Sequence, residues 1–296
     1  MFVKENTVPE ISNYFKNRLA GLYSDREVKT LVREFVCQRM NINTADWYLS
    51  QNILFSESDL LYFRSVVKRL EKNEPFQYVL GKTEFCGLEL ICDKRALIPR
   101  PETEELVVWA VDTIKDIKNP TIFDMCAGSG CIALSIKSML MSAKVMAGEY
   151  SEEAIAQLRD NMEKTNLSLD IFSIDALNAG EYKQFEPNSI DCVVSNPPYI
   201  AANELQGMDA NVVDYEPHMA LFVPDSDPLV FYRTIVEECK NLVRNEGWYF
   251  FEIHEHLAED MKEMLTELGL VNIELRKDLQ EKPRMIRAQR VVSQHG

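Results

Sequence analysis

Ile122-Phe123-Asp124-Met125-Cys126-Ala127-Gly128-Ser129-Gly130-Cys131-Ile132-Ala133-Leu134 passes from an apolar run through a small-residue turn into a second apolar run. The first run reads as a buried strand and the second as a helix start. Gly128 and Gly130 permit backbone angles closed to other residues and let the chain approach a ligand closely. No Gly-Lys-Ser/Thr follows, so the turn is not a phosphate-binding P-loop, and it lacks the full dinucleotide spacing.

The strand-then-helix rhythm continues to the carboxyl terminus. Strands are expected at Thr121–Cys126, Lys144–Glu149, Asp170–Ile174, Ile190–Ser195, Gly247–His254, Asn272–Lys277 and Ile286–Val292. Helices are expected at Ile132–Leu140, Glu152–Lys164, Pro228–Arg244 and Leu257–Leu268. Such alternation predicts an α/β fold, a mostly parallel Rossmann-like sheet with helices on both faces. No helix separates the last two strands, which therefore form an antiparallel hairpin at one edge.

Three carboxylates fall at the ends of successive strands: Asp124, Glu149 and Asp175. Glu149 lies about twenty residues beyond the glycines, the position from which an acid accepts the two hydroxyls of a ribose. Asp175, with Ala176 beside it, is placed to accept from an adenine amino group. Carboxylates suit a cationic sulfonium better than a pyrophosphate. The expected cofactor is S-adenosylmethionine, set against Asp124, Gly128, Gly130, Glu149, Asp175 and Asn196.

The fourth strand, through Ile190, Cys192, Val193 and Val194, runs into Ser195-Asn196-Pro197-Pro198-Tyr199. Two prolines forbid further sheet pairing and a helical turn, which fixes Asn196 at the strand's carboxyl end. Open α/β sheets bind their ligands there. Asn196 offers an amide, Pro197 a carbonyl with no competing N–H, and Tyr199 an aromatic face, a set that suits a planar group carrying –NH2. The plain alternative is a turn stiffened by Pro197 and Pro198.

Residues 1–78 read as a small helical domain. Thr7 with Glu10, and Ser24 with Glu27, have capping-box spacing. Val28, Leu31, Val32, Phe35, Val36 and Met40 form one apolar stripe, as do Leu60, Phe63, Val67 and Leu70, with Asn73 and Pro75 ending the third helix. Residues 79–99 read as a β-hairpin linker turning at Gly87. From residue 100 the α/β domain extends to 296. Its first helix runs from near Glu102 to Lys118, and Arg100, bracketed by prolines, either pairs with the acids there or meets a ligand.

Composition bounds the partners. Of 296 residues 46% are hydrophobic and 27% charged, an ordinary globular balance with no run long enough to span a membrane. The first eight residues lack the apolar core of a secretory signal, and the seven scattered cysteines include no C-x-x-C pair, so a cytoplasmic protein with reduced thiols is expected. A net charge of −15 disfavours nucleic acid. Glu252-Ile253-His254-Glu255-His256 resembles metal-ligand material, but Ala258 stands where His-Glu-x-x-His needs its second histidine, so no metal is expected.

Several stretches resemble the protein N5-glutamine methyltransferases that modify peptide chain release factors. They are Pro75 through Gly81, Leu97 through Glu105 with Arg-Pro-Glu-Thr-Glu, Asp124 through Ala133, Val193 through Ile200, Tyr215-Glu216-Pro217 with Ala220-Leu221, and Phe231-Tyr232-Arg233. The resemblance implies a helical domain that engages the release factor, a hairpin linker and a seven-stranded S-adenosylmethionine-dependent methyltransferase domain. The methyl acceptor it implies is the glutamine of the factor's Gly-Gly-Gln loop, its amide held by Asn196, Pro197, Pro198 and Tyr199; the cofactor residues it implies are Cys126, Ala127, Gly128, Ser129 and Gly130 in the loop, Glu149 on the ribose, and Asp175 with Ala176 on the adenine side. The chain departs from the family at Cys126 and Glu149, where glycine and aspartate are usual, at His254 and Leu257, and at Glu281 through Arg284. Two rivals stand: an adenine N6-methyltransferase acting on DNA or RNA, and a non-catalytic cofactor-binding protein.

Overall fold

The computed structural model describes residues 3–43, 45–49 and 52–292. Met1 and Phe2 of the amino-terminal reading, and residues 293–296 of the carboxyl-terminal one, lie outside the described residues. The chain divides into two compact units.

The helical unit runs to Lys82 and takes in Asp209–Tyr215. Its helices are α1 (Val8–Arg18), α2 (Asp25–Met40), α3 (Glu57–Leu70) and the short α4 (Phe76–Leu80). Their apolar stripes meet in one core in which Ile11, Phe15, Phe35, Phe63 and Leu70 are fully buried. Each such side chain is worth about 1.5–3 kcal/mol, so packing rather than helix propensity holds the unit. The Ser24–Glu27 capping box forms in both directions. The expected box at Thr7 and Glu10 does not: Thr7 makes no side-chain cap, its backbone is drawn into a bridge with Leu54, and Glu10 accepts the Lys4 N–H. A box not foreseen, Ser56 with Asp59, caps α3 instead. Tyr215 donates its hydroxyl to the Lys72 carbonyl at 2.7 Å.

The second unit comprises Thr83–Met208 and the chain from Glu216. It opens on the hairpin β1 (Lys82–Phe85) and β2 (Leu88–Ile91), joined by Cys86 and Gly87 at φ 48° and 77°, the left-handed pair that a two-residue hairpin turn requires. The hairpin is fastened to the α/β body. The Ile91 N–H donates to Asn161 at 2.6 Å, Gln157 donates to the Ile91 carbonyl, and Glu104 accepts the Cys86 N–H. There follow α5 (Pro101–Ile114), β3 (Thr121–Met125), α6 (Cys131–Met139), β4 (Lys144–Glu149), α7 (Glu152–Thr165), β5 (Asp170–Ser173) and β6 (Ile190–Ser195). Beyond them lie β7 (Ile200–Ala201), α8 (Ala210–Val213) of the helical unit, β8 (Phe222–Val223), α9 (Val230–Cys239), β9 (Val243–Glu252), α10 (Ala258–Glu267), β10 (Val271–Lys277) and β11 (Pro283–Gln289).

One seven-stranded sheet has the order β10-β11-β9-β6-β3-β4-β5. The five strands from β9 to β5 are parallel; β11 runs antiparallel between β9 and β10, so the expected hairpin sits at the edge with its last strand turned inward. Alternation along the strands divides the core. Ile122, Cys192, Val194 and Phe250 pack on the α5–α7 side, while Phe123, Val193, Tyr249 and Phe251 pack with α9 and α10. Several boundaries differ from the sequence reading: the helix expected to reach Lys118 ends at Ile114, and the strand expected over Gly247–His254 spans Val243–Glu252. The helix expected to reach Arg244 stops at Cys239, because Val243 pairs with Ile190 in the sheet. The ladder then slips, with Glu246 at φ 65° and Gly247 where a Cβ would lie 2.5 Å from Val243 Cγ1. The last strand begins at Pro283 rather than Ile286, since Pro283 already pairs with Lys277.

From β3 the chain winds outward through β4 and β5 and then returns to β6 on the other side of β3. The loops after β3 and β6 therefore flank the crevice where α/β sheets bind their ligands.

Candidate active site

A cavity of about 440 Å³ opens at these strand ends, the size of a small-molecule site. Of the residues singled out from sequence, Cys126, Ala127, Gly128, Ser129, Glu149, Asp175, Ala176, Asn196 and Pro198 line it. The turn after β3 is drawn tight by left-handed angles at Cys126 (60°), Gly128 (55°) and Gly130 (79°). Cys126 tolerates that angle without glycine's freedom, and burial pushes its thiol far above the ordinary cysteine range, so it is a neutral wall rather than a nucleophile.

Glu149 folds its carboxylate back onto the loops. One oxygen accepts the Gly128 N–H at 2.8 Å, and the other accepts those of Tyr150 and Ser151 at 2.9 and 2.8 Å. Asp175 stands beyond the end of β5, and one of its oxygens accepts the Leu177 N–H at 2.9 Å. An open floor at Gly128, where a Cβ would meet nothing within 4 Å, and two acids on the same cavity wall fit a nucleoside bearing a positive charge.

Four expected site residues do not line the cavity. Asp124 is fully buried behind the loop; it accepts the Ala133 N–H at 3.0 Å, pinning the start of α6, and burial raises its carboxyl well above the usual range. Gly130 caps α6, and a Cβ there would lie 2.7 Å from Leu158 Cγ. Pro197 is buried, with its carbonyl hydrogen-bonded by none of the described residues. Tyr199 is absent from the lining and donates its hydroxyl to Glu252 at 3.1 Å.

Asn196 is held by a group the sequence reading passed over. Its Nδ2 donates to Thr103 Oγ1 at 3.4 Å, and Thr103 donates to Glu252 Oε2 at 2.5 Å. Thr103 and Glu252 are each 2% exposed, and desolvation raises the Glu252 carboxyl against the pull of the Thr103 and Tyr199 hydroxyls. The strand was expected to run on to His254; that it ends at Glu252 is what sets this carboxylate at the sheet edge with Glu149 and Asn196. Arg100 resolves in favour of pairing, but with Glu216 at 2.5 Å rather than the acids that open α5, while still lining the cavity. The remaining wall is apolar, with Met219, Phe222 and Phe231. Among the described residues no three His, Cys, Asp or Glu side chains gather as a metal group, all seven cysteines are free, and no helix is long and apolar enough to cross a membrane.

The methyltransferase small domain family model matches residues 107–213, and the PrmC N-terminal domain model matches residues 10–81. The chain is 38% identical over 285 residues to the release factor glutamine methyltransferase of Bacteroides thetaiotaomicron, covering 95% of this chain and 99% of that one. It is 35% identical over 283 residues to the enzyme of that name from Flavobacterium psychrophilum, covering 94% and 98%. Among solved structures, the hMettl16 catalytic domain superposes with a TM-score of 0.55 at 16% identity, over 87% of this chain and 92% of that one, a likeness of fold alone.

Proposed function

The chain belongs to the release factor glutamine methyltransferases, and from that premise we propose that the cavity brings a glutamine side-chain amide of a release factor to S-adenosylmethionine. The observation that carries the reading is Asn196, which shares the cavity with Gly128 and Glu149 and keeps Oδ1 free of any described donor. When bound, S-adenosylmethionine supplies an electrophilic methyl group on a cationic sulfur.

An amide nitrogen is a poor nucleophile because its lone pair is delocalised into the carbonyl. Asn196 Oδ1, in the cavity, accepts one N–H of the glutamine amide; the other goes to the Pro197 carbonyl, which no described residue occupies and which, though Pro197 itself is buried, lies between the cavity residues Asn196 and Pro198. Fixing the two protons in this way leaves the nitrogen lone pair facing the methyl group, and alignment provides most of the rate. Both acceptors are set by the strand end and the two prolines, so they need no reorganisation as charge disperses. Glu149 would hold the ribose, Asp175 would take the adenine side, and Gly128 would allow the close approach. Methyl transfer would form the nitrogen–carbon bond as the methyl–sulfur bond breaks, with S-adenosylhomocysteine as the leaving group; the surplus amide proton then passes to water, so no basic side chain is required. Pro198 forms wall, and Tyr199, its hydroxyl on Glu252, braces the strand end beside the acceptor.

Transfer of labelled methyl to a purified release factor tests this, beside the same factor with its Gly-Gly-Gln glutamine replaced and a duplex DNA. Label confined to the intact factor is expected. Label on DNA would give the site to an adenine methyltransferase, and cofactor binding without transfer would leave a binding protein.

A further inference from the structure

Asn196 can accept from the substrate amide only if its carbonyl, and not its –NH2, faces the cavity, and nothing in asparagine itself decides between the two. We infer that Thr103 and Glu252 are positioning residues that fix which end of the Asn196 amide enters the site. The inference deepens the amide-methylation reading and rests on it.

Three elements converge here. Ser195 of β6 pairs with Phe251 of β9, so Asn196 and Glu252 stand side by side at the carboxyl ends of adjacent parallel strands. Thr103 reaches them from the first turn of α5. Glu252 is locked: Oε1 accepts Tyr199 at 3.1 Å, Oε2 accepts Thr103 at 2.5 Å, and its backbone carbonyl accepts Tyr232 at 2.9 Å. A carboxylate only accepts, so the single Thr103 proton is committed to Glu252. Thr103 Oγ1 then presents lone pairs alone to Asn196, which must answer with Nδ2. The contact is long, 3.4 Å, but its polarity is dictated, and Oδ1 is left for the substrate. A hydrogen-bond direction is thus handed from a buried acid, through one hydroxyl, to the residue that touches the acceptor.

Glu252→Gln tests the inference because it keeps size while adding a donor. With its carbonyl kept on the Tyr199 hydroxyl, the new side chain sets –NH2 against Thr103; Thr103 then donates to Asn196, and Asn196 turns its own –NH2 toward the substrate amide. Thr103→Val removes the hydroxyl, and Thr103→Ser retains it. The expected result is a kcat on the release factor about 10- to 100-fold lower for Glu252→Gln and for Thr103→Val, with cofactor affinity within about twofold of wild type. Thr103→Ser should return to within about threefold, and the Glu252→Gln/Thr103→Val pair should be no worse than the poorer single variant. The Asn196 side-chain amide resonances, assigned by their loss in Asn196→Asp, should move in both disabling variants. Wild-type kcat in Thr103→Val, independent and multiplying losses, or unmoved Asn196 resonances would overturn the inference. Failure of the wild-type enzyme to label the factor would instead overturn the function, and the resonances, which need no turnover, still decide the orientation.

Discussion

Arg100 donates to the buried carboxylate of Glu216 at 2.5 Å, and the same carboxylate accepts the Ile98 N–H at 3.1 Å. The pair joins the entry of α5 to the segment that carries Pro217, Met219 and Phe222 along the cavity wall. Arg100→Ala leaves a side chain 1% exposed without its counter-charge. Losing one partner of a fully buried pair costs about 3–5 kcal/mol, and the 32% exposure of the Arg100 side chain reduces the expected loss to about 1–3 kcal/mol. Urea unfolding measures it. A wild-type midpoint would mean that the guanidinium is there for a ligand and not for the fold.

Gly128 and Gly130 share left-handed angles but not surroundings. A Cβ at Gly128 meets nothing within 4 Å, whereas at Gly130 it meets Leu158 Cγ at 2.7 Å and Cδ1 at 3.2 Å. Gly128→Ala should cost about 1–2 kcal/mol of stability from backbone strain alone. Gly130→Ala should lose about 1–3 kcal/mol more through overpacking against α7. Cofactor titration should reverse the ranking relative to stability, since Gly128 lines the cavity and Gly130 does not. Equal stability losses would show that Leu158 moves aside freely.

Stability and activity should respond to pH in opposite senses through Glu252. Burial raises its carboxyl above the ordinary value; the Thr103 and Tyr199 hydroxyls and Arg284 oppose the shift, and Glu102 adds to it. A raised carboxyl favours the folded state most where it is protonated, below its unfolded value, and that contribution fades as pH rises through the folded value. Positioning of Asn196 needs the ionised form, so kcat should grow over the same interval. The difference between wild type and Glu252→Gln isolates the group from carboxylates of opposite sign such as Asp59 and Asp278. An acid limb in the kcat profile that survives in Glu252→Gln would assign it elsewhere.

What could be read from sequence is what local spacing encodes. Gly128, Glu149, Asn196 and the alternation through Val193 and Val194 each declare themselves within a few residues, and they place the sheet, its switch point and most of the cavity floor. Thr103 and Glu252 meet across 149 residues, and no window shows that a threonine in a helix's first turn and an acid at a strand end will share a proton. Arg100 carries the same lesson, since its partner, Glu216, lies beyond four strands of the sheet rather than in the adjacent acids. The helix that stopped at Cys239 failed for a related reason: Leu242 and Val243 suit a helix face, but Ile190 pairs with Val243 first.

The caps of the helical unit give a test of when local spacing suffices. Ser24 accepts the Glu27 N–H at 3.3 Å and Glu27 accepts the Ser24 N–H at 2.7 Å; Ser56 and Asp59 make the same exchange at 3.2 and 2.9 Å. Thr7 has the same spacing to Glu10, yet caps nothing. An N-cap side chain that satisfies a helix-end N–H is worth about 1 kcal/mol. Ser24→Ala and Ser56→Ala should each lower the stability of this unit by about that amount, while Thr7→Ala should fall within about 0.5 kcal/mol of wild type. The comparison is best made by hydrogen exchange of Val28, Leu60 and Ile11, whose amides report the first turns of α2, α3 and α1 and separate this unit from the α/β one. Protection lost at Ile11 in Thr7→Ala to the same degree as at Val28 in Ser24→Ala would mean that Thr7 does cap α1 in solution, with the Leu54 bridge too weak to hold it away.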